Sequence, residues 1–212
     1  MAPHVVAPEH RGRGAVTGYL DRSTIRVIAR VLASGGVAVL PTDTIYGFHC
    51  AASSRGAVRR ILRLKGRTRA EGFILLVSDL TMVSTIVARW PGGSRERLVE
   101  IWPARLTAIL PAKKGLPPVV APGGAVAVRI PAHPELRALI KALGEPVIST
   151  SVNVSGHAPI SSIARIRKAF PGLDAYCSRR GRPMNLPSTI VDFTTDSALL
   201  VRAGAYPWKV GS

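Results

Sequence analysis

The sequence is poor in cysteine, in aromatic residues and in acidic residues, and it has no long apolar run. Of its 212 residues, only Cys50 and Cys177 carry thiols. They are far apart and form no C-x-x-C, which excludes a zinc or dithiol redox motif. The two are expected to be buried fillers, in a reducing, cytoplasmic setting. Aromatics make up 5% of the chain, so a core must be built from Val, Ile, Leu and Ala. Asp and Glu number 12 against 29 Lys and Arg, a formal charge of +17. Such an excess favours anionic partners: nucleotides, nucleic acid or acidic lipid. No stretch approaches the ~18 apolar residues of a membrane span, and the N-terminus lacks the apolar segment of a secretory signal.

What is present suits one α/β domain. The hydrophobic fraction of 47% is enough for a core without staples. Residues 1–20 show no period and are expected to form a loose basic arm. A domain over 21–207 and a short tail over 208–212 follow. Asp21 or Ser23 can cap a helix whose apolar face is Ile25, Ile28, Val31 and Leu32. The wholly apolar run Val37 to Leu40 reads as a buried strand. Helical faces recur at Val58, Ile61 and Leu62, from Asp79 or Thr81 to Trp90, from Arg95 to Trp102, at Leu136, Leu139, Ile140 and Leu143, and from Ile163 to Phe170. Strands are expected at 73–77, 106–110, 125–130, 146–149, 188–193 and 199–202. Strands interleaved with helices make an α/β sheet. Adjacent strands with no helix between them, as at 106–130 and 188–202, make it mixed.

The chemistry lies in the loops that leave these strands. Pro41-Thr42-Asp43-Thr44-Ile45-Tyr46-Gly47 offers two hydroxyls, a carboxylate and a phenol, which suit a small ligand with an amine and a hydroxyl; a plain Pro–Asp turn is the simpler reading. Lys65-Gly66-Arg67 puts two cations on one short loop, either a phosphate site or charges that complement a helix C-terminus. Arg129 lies on an otherwise apolar strand and needs an anion or a carboxylate. Ser149-Thr150-Ser151-Val152-Asn153 can present hydroxyls and backbone N–H groups to phosphate oxygens. Ser188 precedes one strand and Arg202 ends the next. If Lys65, Arg67, Arg129 and Arg202 converged to about 6 Å, each pair would repel by roughly 3 kcal/mol at an effective dielectric of about 20. Such a cluster needs an anion or wide spacing in water. No G-x-x-x-x-G-K-[ST] and no G-x-G-x-x-G occur, which excludes a P-loop and a dinucleotide fold.

The segments PTDTIYGF, LKGR, GFILLV, WPARLT, VAVRIPAHPEL, STSVNVSG, PSTIVDF and LLVRAGA occur in an order and spacing that resemble the YrdC family of threonylcarbamoyl-AMP synthases. The likeness covers about Ser23 to Pro207. It implies a single domain with a twisted mixed β-sheet, flanked by helices around a basic concave cavity. It also implies a nucleotidyltransferase that joins L-threonine, bicarbonate and ATP and releases pyrophosphate. A partner complex would then carry the threonylcarbamoyl group to adenosine in tRNA. By the same likeness Thr42, Thr44, Thr107, Arg129, Ser149 and Ser188 would line the threonine side. Lys65, Arg67, Ser151, Asn153 and Arg202 would hold ATP, with Lys65 and Arg67 stabilising charge in the reaction. Mg²⁺ would be held mainly through ATP, since no Asp/Glu cluster is dedicated to it.

The chain departs from the family pattern at five places. His49 stands where the family has Gly, Thr68 where Pro follows K-x-R, and Arg105 at the second Pro of WPGP. Pro187 replaces the Glu of EST, and Ala203 the Pro of RPGA. Some of these features lean towards the YciO branch. The alternatives are therefore a YciO-like or carbamoyl-adenylate-forming relative with a different substrate, and a non-catalytic RNA-binding protein of the same fold. The second is disfavoured by the lack of an aromatic-rich RNA-recognition strand.

Overall fold

Ile25, Ile28, Ala29 and Leu32 form the buried stripe of helix α1 (Ile25–Ala33), as apolar spacing at a period of 3.6 requires. The computed structural model describes residues 15–67, 73–179 and 185–209. Strand β2 (Ala38–Leu40) is buried on both faces and turns through residues 41–46 into antiparallel β3 (Gly47–Ala51). Helix α2 (Arg55–Leu64) is capped by the Ser54 hydroxyl, which accepts the Ala57 N–H. After β4 (Ile74–Leu76), the Asp79 carboxylate caps α3 (Leu80–Ile86), a standard use of Asp at that position. Helix α4 (Ser94–Ile101) leads to β5 (Leu106–Pro111) and β6 (Ala125–Arg129). Helix α5 (Pro134–Leu143) opens on proline, whose missing N–H costs nothing in the first turn. The chain ends with β7 (Val147–Ser151), α6 (Ile163–Ala169), β8 (Ala175–Ser178), β9 (Thr189–Asp192) and β10 (Leu199–Arg202).

With β1 (Val16–Tyr19) the strands form one sheet in the order β1-β8-β2-β3-β7-β4-β6-β5-β9-β10. Four pairs are parallel (β1–β8, β8–β2, β4–β6, β5–β9) and the others antiparallel, so the sheet is mixed, as expected. One face packs on α1 and α5 through Leu32, Leu40, Leu76, Leu136 and Val147. The other packs on α2, α3 and α4 through Val58, Ile61, Leu75, Val83 and Leu98. Both cysteines are free and buried.

Several boundaries differ from the sequence expectation. Residues 16–19 were expected in a loose arm, but they form β1, with the Val16 N–H donating to the Asp174 carbonyl (3.0 Å) and Leu20 N–H to Ser178 (3.1 Å). This strand sits at the sheet edge with Thr17, Gly18 and Tyr19 exposed, so it carries no hydrophobic period to read. The rest of the expected arm, residues 1–14, lies outside the described residues. At the other end Trp208 packs edge-on against Phe193, ring centroids 5.7 Å apart, beneath the Arg97 guanidinium. Ordered packing thus runs past Pro207 into the expected tail. Strands β3 and β8 were not anticipated. Helix α3 stops at Ile86 rather than near Trp90, because Val87 leaves it to bridge Ala112.

Candidate active site

The turn between β2 and β3 holds itself in shape. Thr42 Oγ1 accepts the Thr44 N–H (3.0 Å), donates to the Ile45 carbonyl (2.8 Å) and lies 2.8 Å from Thr44 Oγ1. Between them, Asp43 Oδ2 accepts the Ala132 N–H (3.0 Å), and Oδ1 lies 3.4 Å from Arg129 Nη2. Arg129 also donates from Nη1 to Thr44 Oγ1 (3.3 Å). It is 3% exposed. Its partner is thus the carboxylate that an Arg on an apolar strand requires. Burial lowers the Arg129 pKa, and the Asp43 charge opposes that shift.

The exit of β7 is tied to the end of α2. Lys65 Nζ donates to the carbonyls of Ser151 (2.8 Å) and Asn153 (3.2 Å) and to Asn153 Oδ1 (2.9 Å). Its three protons therefore have three good oxygen acceptors within the protein. Burial, and then the adjacent Arg67 guanidinium, bring the Lys65 pKa down to about 8. Arg67 Nε donates to the Ser155 hydroxyl, and the Ser155 N–H donates to the Lys65 carbonyl. On the same strand, Ser149 Oγ lies 3.1 Å from Nε2 of the buried His49.

The C-terminal strands close the third side. Ser188 Oγ lies 2.9 Å from Thr107 Oγ1, and Arg202 donates from Nε (3.1 Å) and Nη2 (2.7 Å) to the Ser188 carbonyl. Arg202 is solvent-exposed in β10. Partial desolvation and the nearby Arg129 charge lower its pKa. Gly204 permits this closure, since a Cβ there would stand 2.5 Å from the Pro187 carbonyl oxygen.

These groups surround a cavity of about 170 Å³. Thr42, Thr44, Arg67, Arg129, Ser149, Ser151, Ser188 and Arg202 line it, joined by Tyr46, Gly47, Ile74 and Pro187. Eight of the expected site residues thus meet in one place. Lys65, Asn153 and Thr107 do not line the cavity; each stands behind a residue that does. A larger cavity, about 770 Å³, lies on the other face of the sheet and is walled mainly by Val58, Leu75, Ile86, Leu116 and Val120. It contains none of the expected residues, and its polar groups are rim residues such as Arg55 and Arg59. The larger cavity has one hydroxyl, Ser53, beside Arg55 and Arg59 in a mostly apolar wall; the smaller one gathers several hydroxyls around three arginines, as phosphate and amino-acid chemistry demand.

Of the departures from the family pattern, Pro187 lines the cavity, and the backbone carbonyl of Arg105 accepts the Thr189 N–H (3.1 Å). Ala203 is exposed beside Arg202, and Thr68 lies outside the described residues. His49 was named from sequence only as a departure; the structure puts it against Ser149.

A family model described as Sua5_yciO_yrdC, telomere recombination, matches residues 30–204. The chain belongs to the Sua5/YciO/YrdC family. Within this family, it is 35% identical over 147 residues to a protein named threonylcarbamoyl-AMP synthase from Nitrosococcus oceani, covering 69% of this chain and 80% of that one. Its fold superposes on P. abyssi Sua5 complexed with L-threonine with a TM-score of 0.81 and 28% identity, over 90% of this chain. The chain spans only 56% of that Sua5. E. coli YciO superposes with a TM-score of 0.80 and 26% identity, over 90% of this chain and 96% of that one.

Proposed function

We propose that this protein is a threonylcarbamoyl-AMP synthase that joins L-threonine, bicarbonate and ATP, for threonylcarbamoyladenosine modification of tRNA. One observation carries the reading: Arg67, Arg129 and Arg202 converge with six Ser and Thr residues on a single polar cavity. In the proposed sequence the threonine amine forms a C–N bond to the bicarbonate carbon, and one oxygen leaves as water. A carbamate oxygen then attacks the α-phosphorus of ATP. The bond from that phosphorus to the β-phosphate oxygen breaks, and pyrophosphate departs. A carbamate is short-lived in water, so a recessed, largely buried site helps it survive.

The second step needs positioning and charge stabilisation rather than a covalent nucleophile. Arg67 and Arg202 reach the cavity and supply positive charge. Lys65 acts from behind, fixing the Ser151 and Asn153 carbonyls and leaving the loop backbone set towards the nucleotide. Thr42, Thr44, Ser149 and Ser188 form the amino-acid side, with Thr107 and Arg129 setting the hydroxyl directions.

Among the described residues no group of three His, Cys, Asp or Glu could hold a metal ion. Asp43 is already engaged by Arg129 and the Ala132 N–H. The residues therefore fit a Mg²⁺ that arrives bound to the triphosphate, where it would neutralise phosphate charge. No helix among the described residues is long and apolar enough to cross a membrane, which fits the proposed cytoplasmic role. The product would pass to the complex that acts on tRNA, and the excess of positive charge allows contact with RNA on the way.

The test is pyrophosphate release from ATP, with L-threonine and bicarbonate each omitted in turn. Release that requires both is expected. A second reading rests on the nearly full-length match to YciO: a carbamoyl-adenylate enzyme with another substrate. Release that ignores threonine but requires bicarbonate would favour it. No turnover, with RNA affinity falling steeply as salt rises, would mark a binding protein instead.

A further inference from the structure

His49 is out of keeping with its surroundings. Cross-strand register places Ala38, His49, Ser149 and Ile74 in one row across β2, β3, β7 and β4. Neighbours in such a row share a face of the sheet. Two of the four are apolar, and the helix-covered hydrophobic cluster lies directly beside them. An apolar side chain would satisfy this position. Instead it holds an imidazole that is fully buried, with Nε2 on Ser149 Oγ (3.1 Å) and with Nδ1 lacking any partner of hydrogen-bond geometry among the described residues. A buried polar atom left unmatched costs stability. A local conflict of this kind marks a functional or strained position more often than a neutral one.

The ring lies next to the cavity. A Cβ on Gly47 would stand 2.7 Å from His49 Cε1 and 3.1 Å from Ser149 Oγ, and both Gly47 and Ser149 line the cavity. The imidazole therefore fills the space behind Gly47, and its one hydrogen bond is spent on a hydroxyl that faces the cavity. Burial holds its pKa down to about 3; an interaction with the Gly47 backbone opposes that shift, and the Arg129 charge reinforces it to a smaller degree. The ring is thus neutral at working pH and is no proton shuttle.

We propose that His49 is the positioning residue of the amino-acid end of the cavity: it fixes the direction of the Ser149 hydroxyl and so favours a bound amino acid that carries a hydroxyl. This rests on the reading that the cavity takes L-threonine. In that setting the imidazole selects for a hydroxyl-bearing amino acid through Ser149, without itself touching the reacting atoms.

The experiment measures L-threonine and L-isoleucine binding by calorimetry without ATP, together with pyrophosphate release. The proteins are the full chain and the variants H49A, H49Q, S149A and H49A/S149A. In H49A, the threonine Kd should rise about three- to tenfold, the worth of one neutral hydrogen bond. The KM for ATP should stay within about twofold, and the preference for threonine over isoleucine should shrink. H49Q keeps a donor and an acceptor near Nε2 and should recover most of the affinity; it also serves if H49A folds poorly. The losses in H49A and S149A should not add, because one acts through the other. Unchanged threonine affinity and selectivity in a folded H49A, or simple additivity with S149A, overturns the proposal. If the unaltered protein binds no threonine at all, the functional reading falls, and this inference with it.

Discussion

The two ends of the cavity are built differently. The end proposed for threonine is made of buried side chains that already hold one another: Thr42 with Thr44, Arg129 with Asp43 and Thr44, Thr107 with Ser188, His49 with Ser149. The end proposed for the nucleotide is made of cations at the ends of elements, with Arg202 exposed to solvent. The first end carries its counter-charge within the fold, in the Arg129–Asp43 pair; at the second, Arg202 spends its hydrogen bonds on the Ser188 backbone and hydroxyl, which are neutral. A site of this kind separates its costs. Damage to one end should appear mainly as lost stability, and damage to the other mainly as lost turnover.

The largest expected effect tests the first half of that comparison. Arg129→Met would leave Asp43 buried without its cation. It should destabilise the fold by about 3–5 kcal/mol, the usual cost of breaking a buried pair from one side. Denaturant unfolding measures this. A loss below about 1 kcal/mol would mean that the threonine end is not held by its ion pair.

Arg202→Ala tests the second half. Its transition-state loss should be on the order of 2–4 kcal/mol, the scale of a preorganised charge-stabilising donor. Its melting temperature should hardly move, because exposed charges contribute little to stability. Turnover and thermal melting together decide it. A drop in melting temperature with turnover intact would place Arg202 among the structural residues.

Lys65 stands at the proposed nucleotide end but is buried and already bonded within the fold, and it sharpens the contrast. From sequence alone it was expected to touch phosphate and to relieve repulsion when removed. Its ammonium instead satisfies Ser151 and Asn153, so Lys65→Met should cost about 1–3 kcal/mol of stability by stranding buried acceptors. The pH dependence follows from its pKa, about 8 in the fold against the ordinary 10.5. Between those values the unfolded chain binds the extra proton, so this group's contribution to stability increases with pH and is lost as pH falls through about 8. Activity should run the other way, with kcat/KM for ATP declining as pH rises through about 8. Lys65→Met should abolish both trends, and a pH profile unaltered by it would remove Lys65 from the mechanism.

Much of this architecture was readable from residue order. The Asp79 cap and the buried run of β2 follow from local rules, as does most of the apolar stripe of α1; there the structure buries Ala29 rather than Val31 and places Thr24, not Asp21 or Ser23, at the N-cap. β1 and β8 were not readable. β1 is a polar edge strand, and β8 is a four-residue segment whose partners lie far away in sequence. At the candidate site, hydroxyl and cation types pointed to loops that the fold brings together, and eight of those residues line one cavity. What residue types could not convey is which atoms are already spent. The bonds that commit Lys65 to a loop and Arg129 to the Asp43 turn span 85 or more residues, and no local pattern encodes them.

Gly47 and His49 occupy one volume, and this imposes an order on how the pair can change over generations. A side chain at position 47 meets its closest obstacle, 2.7 Å away, in the imidazole of residue 49. The reverse does not hold: residue 49 can shrink while position 47 stays bare. A lineage that leaves this arrangement must therefore alter His49 first, and only afterwards can position 47 gain bulk. Gly47→Ala should accordingly be harmful beside His49 and milder beside glycine, so the same substitution would carry different consequences depending on when it arrived.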